Sequence, residues 1–238
     1  MQRRSDTLYT LLLRLGAPLQ SWGSESMYDR RETDVMPTKS GVIGMLAAAL
    51  GRKRGEPLHD LTKLHFGVRT DLPGTKLEDF QITNMGEKRN ANLSYRVYLS
   101  DAVFVAGLSC EDRTFLEELA YALEHPKFPV YLGRRSCPPT QPFVLGIRER
   151  ELLEALQEEE WQVPEWRRKT LFHFRDRYLL RIVTDGVQGD AVKRDVPLSF
   201  SPYRREYGYR YWREEVGKYV VQQPDPFQTE HDPMKELR

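Results

Sequence analysis

The chain has little of what staples a protein or carries it through a membrane. Its 238 residues include two cysteines, Cys110 and Cys137. They have neither CxxC spacing nor a nearby histidine pair, which excludes a disulfide framework and a zinc site. No apolar run approaches the roughly 18 residues that cross a bilayer. Met1-Gln-Arg-Arg leads into the short apolar stretch Leu8 to Leu15 without a small-residue cleavage site. A soluble, cytoplasmic protein with no membrane partner is expected.

Catalytic signatures are missing as well. There is no GxxxxGK[ST], GxGxxG, HExxH or GxSxG. Pro37-Thr-Lys-Ser-Gly41 resembles a P-loop only in part, because the preceding glycine is not at the required spacing. The histidines His59, His65, His125, His173 and His231 stand isolated. No cofactor and no metal is expected.

Charge is present in quantity and unevenly placed. The 36 basic and 35 acidic residues nearly cancel. Residues 1–55 nevertheless carry 9 basic and 5 acidic groups, 111–165 carry 6 and 12, and 166–220 carry 13 and 7. Two basic stretches flanking an acidic one suit either solvated faces or a protein that holds a polyanion on one side and protein partners on another.

The periodicities predict an α+β fold. Thr7 to Leu15 reads as a buried strand, followed by a long polar connection from Leu19 to Lys39. Ser40 is the expected N-cap of a buried helix, Gly41 to Leu50, with Gly51 as its stop. Connections in such units are usually about 2 to 6 residues, so this loop is a candidate functional segment. A short helix is expected at Leu58 to Leu64 and a strand at Phe66 to Thr70. A β-hairpin from Phe80 to Tyr98 has a polar tip at Glu87 to Asn90, and a strand at Asp101 to Leu108 follows. Ser109 and Asp112 resemble a capping box for a helix at Arg113 to Glu124. A strand at Phe143 to Ile147 completes a βαββαβ order, the pattern of a ferredoxin-like or RRM-like core.

Further along, Glu149 to Glu160 reads as an acidic helix, Tyr178 to Thr184 as a strand and Gly217 to Val221 as a last short strand. The expected organisation is a core over 1–148 with a hairpin at about 80–98, a smaller β-rich C-terminal extension over 149–223, and an irregular tail over 224–238.

The candidate site residues are those that would hold a nucleic-acid strand. Lys39 and Ser40 lie at a helix start, where unpaired amides and the helix dipole attract phosphate. Arg30 and Arg31 enter that region on the long loop, and Trp22 either fills the core or offers a flat face to a base. Lys88 and Arg89 mark the hairpin tip. Tyr95 and Tyr98 are three apart on one strand and face opposite sides, so one of them is a candidate core residue. Leu132-Gly-Arg-Arg-Ser136 places Arg134 and Arg135 beside a glycine that permits close backbone approach. The run Tyr203 to Trp212 interleaves aromatics with arginine and suits nucleic acid or another subunit.

Several blocks together resemble a known family. Leu13-Arg-Leu-Gly-Ala-Pro-Leu-Gln-Ser-Trp-Gly23, Arg31-Glu-Thr33, Pro37 to Leu46, Tyr98 to Phe104 and Pro129 to Cys137 are similar to the CasD family. These are the fifth Cas proteins of the type I-E CRISPR Cascade, within the RAMP superfamily. The resemblance implies a modified RRM-like RAMP domain with a projecting β-hairpin thumb. It implies a noncatalytic subunit that binds the crRNA 5′ handle beside the CasC backbone and CasA large subunits, and meets target DNA only through the complex. Trp22, Lys39 and Ser40 fall in its handle-binding blocks, and Arg134 and Arg135 in its LGR block. The alternative reading is a metal-independent endoribonuclease that processes pre-crRNA repeats.

Overall fold

The computed structural model describes residues 7–23, 30–83, 92–173 and 176–221. The first strands are β1 (Tyr9–Gly16), β2 (Leu19–Gln20) and β3 (Arg30–Arg31), followed by α1 (Lys39–Ala49) and α2 (His59–Thr62). Next come β4 (His65–Leu72), the hairpin strands β5 (Thr75–Thr83) and β6 (Asn92–Ser100), β7 (Val103–Cys110), α3 (Arg113–Glu124) and β8 (Val144–Arg148). The C-terminal third contributes α4 (Leu152–Glu158), α5 (Glu165–Phe172), β9 (Arg177–Asp185), β10 (Ala191–Phe200) and β11 (Arg205–Val221).

The main sheet has the order β10-β11-β9-β4-β7-β1-β8. Its neighbours are antiparallel throughout. The four strands β4-β7-β1-β8 reproduce the ferredoxin-like arrangement, in which the first and third core strands lie in the middle. Strand β1 shows why its sequence is apolar without alternation. Leu11, Leu13 and Leu15 join the cluster under α1 and α3, while Leu12 meets Val105, Leu156 and Ile182 on the opposite face. Helices cover both faces here, so neither face of β1 needs polar residues.

On that opposite face α4 lies close to the strands, since a side chain at Gly107 would place its Cβ 2.6 Å from Leu152 Cδ1. A fully buried ion pair fastens the end of α4. Arg69 Nε donates to Asp71 Oδ1 at 2.7 Å, and the same guanidinium donates to the carbonyls of Leu156, Glu159 and Glu160 at 2.6–2.7 Å. Asp71 in turn accepts from the Gln162 amide at 2.7 Å. The orphan carbonyls of a helix C-terminus are thereby satisfied inside the protein.

The C-terminal strands continue the same sheet. β9 pairs with β4 from Gly67↔Thr184 to Thr70↔Arg181, and β11 and β10 follow outward. The short strand expected at Gly217 to Val221 is the end of the 17-residue β11. Alternation of charged and aromatic residues obscured that length, because neither face of β11 is a plain apolar stripe. α5 was not foreseen, and no residue of it is buried, so it gives no core-facing periodicity. The tail expected over 224–238 lies outside the described residues.

The hairpin is longer at its base than Phe80 to Tyr98. β5 and β6 pair from Thr75↔Ser100 to Thr83↔Asn92, and β6 also pairs with β2 and, in parallel, with β3. The tip, with Lys88 and Arg89, lies outside the described residues. No helix among the described residues is long and apolar enough to cross a membrane.

Candidate nucleic-acid interface

Helix α1 is capped by Thr38, whose Oγ1 accepts from the Gly41 amide at 3.2 Å. Ser40, the expected cap, therefore sits in the first turn. Cap position depends on which residue has extended backbone, and Thr38 has it at φ −95°, ψ 149°. The helix start is also occupied from the far end of the chain. The Lys39 amide donates to Asp195 Oδ2 at 3.0 Å, and Lys39 Nζ donates to Asp185 Oδ2 at 3.0 Å. Two carboxylates already take the place proposed for a phosphate, so Lys39 is not open to one in this arrangement.

Trp22 resolves in favour of the core. It is fully buried, its Nε1 donates to Gln20 Oε1 at 3.1 Å, and its ring lies so close to α1 that a Cβ on Gly41 would fall 2.9 Å from Trp22 Cε3. The Trp22 amide donates to Thr33 Oγ1 at 2.7 Å and its carbonyl accepts from Asp34, which closes the long loop on itself.

The remaining candidates divide between two places. Ser40 and Arg135 line a groove of about 980 Å³ along the flank of α1. Arg52, Lys53, Arg54 and Arg205 add four more cations, Glu56 is the one carboxylate of the lining among the described residues, and Phe128, Tyr131, Phe200 and Tyr207 add rings. The loop carrying Arg135 is held against the chain after β2, where the Ser21 amide donates to Leu132 O at 3.0 Å. Gly133 permits this approach. Its φ is +88°, and a Cβ there would lie 1.5 Å from Ser21 O.

Arg52 is partly neutralised. Its guanidinium holds the Asp60 carboxylate through a two-point contact and also donates to Pro57 O at 2.8 Å. That hydrogen bonding holds the Asp60 carboxyl below its usual range, against the opposing effect of burial.

Strand register assigns the other candidates to the root of the hairpin. Arg30 pairs with Tyr95 and Arg31 with Arg96, so the two arginines lie on opposite faces of the ribbon. On the Arg30 face, Phe80 and Tyr95 have ring centroids 5.4 Å apart, and Ile82 and Leu93 are exposed beyond them. Arg30 itself is bound to Glu32 at 2.6 Å and to Glu78 at 3.4 Å. On the Arg31 face lie Ser94, Arg96 and Tyr98. Tyr98 is the core member of the tyrosine pair, at 3% exposed against 43% for Tyr95. Arg134 stacks on its ring at 4.4 Å and donates to Arg31 O at 3.0 Å.

Sequence reasoning missed Arg52, Lys53 and Arg54, although their position directly after the helix stop at Gly51 was a usable signal. It also missed Arg96, Phe128, Tyr131 and Phe200. Arg205 and Tyr207 lay in the aromatic and basic run noted above but were not singled out.

Residues 10–213 match the CRISPR-associated protein (Cas_Cas5) family. The CRISPR system Cascade subunit CasD of Escherichia coli (strain K12) is 34% identical over 157 residues, covering 57% of this chain and 70% of that protein. A chain of a solved CRISPR RNA-guided surveillance complex superposes with a TM-score of 0.70 at 34% identity, covering 89% of this chain and 91% of its own. A crystal structure of a Cas protein gives 0.66 at 38% identity, with 87% and 94% covered. With the family match spanning the core, the hairpin and most of the C-terminal strands, the chain belongs to the CRISPR-associated Cas5 family.

Proposed function

We propose that this chain is the noncatalytic crRNA-binding subunit of a type I-E Cascade surveillance complex in the cytoplasm. It grips the crRNA 5′ handle and caps one end of the assembly for antiviral DNA targeting. The observation that carries this reading is the lining of the α1 groove, where the described residues set five cations, one of them paired with Asp60, against one carboxylate, with four aromatic rings among them. A single strand needs both kinds of group, since cations neutralise phosphates and ring faces stack with bases.

Ser40 and Arg135 act from the groove wall. Arg31 and Arg134 continue the positive surface toward the hairpin, which serves as the thumb. Tyr95 lies on that thumb and Arg30 on the strand paired with it, while Lys88 and Arg89, outside the described residues, are proposed as further RNA contacts. Trp22 and Lys39 act from beneath, by fixing the loop and the helix start. The apolar thumb face of Phe80, Ile82, Leu93 and Tyr95 suits contact with neighbouring subunits, the CasC backbone and the CasA large subunit. Target DNA is reached through the complex.

The rival endoribonuclease needs a general base within hydrogen-bond reach of a 2′-hydroxyl. None of the four described histidines lines the groove, and Lys53, Tyr131 and Tyr207, which do, are side chains that are protonated near neutral pH unless perturbed.

Reconstitution of the complex with Arg135→Ala and Arg205→Ala tests the reading. Lower crRNA retention is expected, together with a log–log salt slope reduced by about 0.7 for each phosphate that is no longer neutralised. Unchanged retention and slope in both variants would remove the groove from the RNA path.

A further inference from the structure

The root of the hairpin holds guanidinium nitrogens that have no hydrogen-bond partner among the described residues. Arg96 Nε and Arg134 NH1 are buried and make no hydrogen bond, and Ser94 Oγ beside them is buried and unbonded too. No ion pair joins the Arg31, Arg96 or Arg134 guanidinium to a carboxylate among the described residues, whereas Arg30 on the opposite ribbon face has two. Asp79, the cross-strand partner of Arg96, is engaged by Gln81 Nε2 at 2.8 Å instead.

These groups converge. Arg31 and Arg96 are register partners on β3 and β6, and Ser94 and Tyr98 flank Arg96 on its own face. Arg134 reaches the same face, stacked on Tyr98 and bonded to the Arg31 carbonyl. A buried donor without a partner is costly, and three cations with no counter-anion among the described residues repel one another. Such an arrangement is expected where an external anion completes it. A guanidinium suits a phosphate best, because its planar fork matches two oxygens at once.

We infer that Arg31, Arg96 and Arg134 form a phosphodiester-binding site at the root of the hairpin, distinct from the α1 groove and occupied by one backbone phosphate of a bound single strand. The site rests on the RNA-binding reading above and adds a fixed point to it. One linkage of the strand would be held by a three-arginine clamp, with Ser94 Oγ as a further donor, and this sets where the strand passes the hairpin.

The test uses the full chain and a single-stranded RNA of about ten nucleotides, made as a series with one uncharged methylphosphonate linkage at each position in turn. For the parent protein, neutralising one particular linkage should weaken binding several-fold more than neutralising its neighbours. For Arg96→Met that same linkage should lose its special effect, so the two changes are not additive. Arg96→Met should also leave the thermal midpoint of the RNA-free protein unchanged or raised, because it removes an unsatisfied buried donor. Additive losses at every linkage, with RNA binding otherwise intact, would overturn the clamp and leave the groove standing. A lowered midpoint together with additive losses would assign Arg96 a structural role. No binding of the RNA by the parent chain would overturn the RNA-binding reading and the clamp with it.

Discussion

Lys39 Nζ donates to Asp185 Oδ2 at 3.0 Å, joining residues 146 apart in sequence. The same carboxylate accepts from Arg210 NH1 at 2.7 Å and from the Phe66 amide at 2.9 Å, and Arg210 also forks Asp195 through two nitrogens. Two cations and two carboxylates, nearly buried and balanced in charge, thus fasten β9, β10 and β11 to the start of α1. Since β10 and β11 carry Phe200, Arg205 and Tyr207, this network places one wall of the groove.

Lys39→Ala should therefore destabilise the protein before it touches any ligand. Asp185 retains Arg210 and the Phe66 amide, so the loss is that of one charged hydrogen bond, about 1 to 3 kcal/mol. Chemical denaturation of the RNA-free chain measures it. A variant as stable as the parent would make Lys39 a candidate phosphate ligand again.

Arg69→Ala should be more damaging. It leaves the Asp71 carboxylate buried without its partner and unties three carbonyls at the end of α4. Breaking a buried pair from one side costs about 3 to 5 kcal/mol. The shift of the denaturation midpoint checks this, and a loss under about 1 kcal/mol would show that α4 docks without the lock.

Asp60→Asn should strengthen RNA binding, because it releases the Arg52 guanidinium at the groove. The salt slope should steepen by about 0.7 if Arg52 then neutralises one phosphate. The pair also has a pH signature. Asp60 titrates below its unfolded value of about 3.9, so its contribution to stability is present above that pH and fades as pH falls through the lowered folded value. Acid unfolding of Asp60→Asn should lack that component. An unchanged salt slope would mean that Arg52 does not reach the strand.

Ile82→Ser and Leu93→Ser on the exposed thumb face should change the stability of the free chain by about 0.5 kcal/mol or less, as surface substitutions do. Assembly with the neighbouring subunits should be impaired. Size-exclusion of the reconstituted complex reads this, and normal assembly would leave the apolar thumb face without a partner.

Local patterns carried much of the fold in the sequence. Asp112 caps α3 by accepting from the Phe115 amide at 3.0 Å, and Leu116, Leu119 and Leu123 form its buried face, so the helix runs over the expected Arg113 to Glu124. Ser109, read as part of a capping box, lies in β7 and donates to Tyr9 O instead. The site was less legible because its parts are distant. Its groove joins α1, the loop over 128–138 and strands β10 and β11, and no short window contains that pairing. Lys39 looked like a phosphate ligand because its two carboxylates lie about 150 residues away. Arg96 looked like an ordinary strand residue, since the lack of a hydrogen-bond partner for its Nε among the described residues is a property of the folded neighbourhood.

Cross-linking from the RNA tests the central claim most directly. A crRNA carrying 4-thiouridine at successive positions of its 5′ handle would be assembled into the complex, irradiated, and the attached peptides of this chain identified. The account predicts adducts in residues 52–54, 128–138 and 200–207, the walls of the α1 groove. Adducts confined to the α4 and α5 side, residues 152–172, or to other subunits alone, would contradict it.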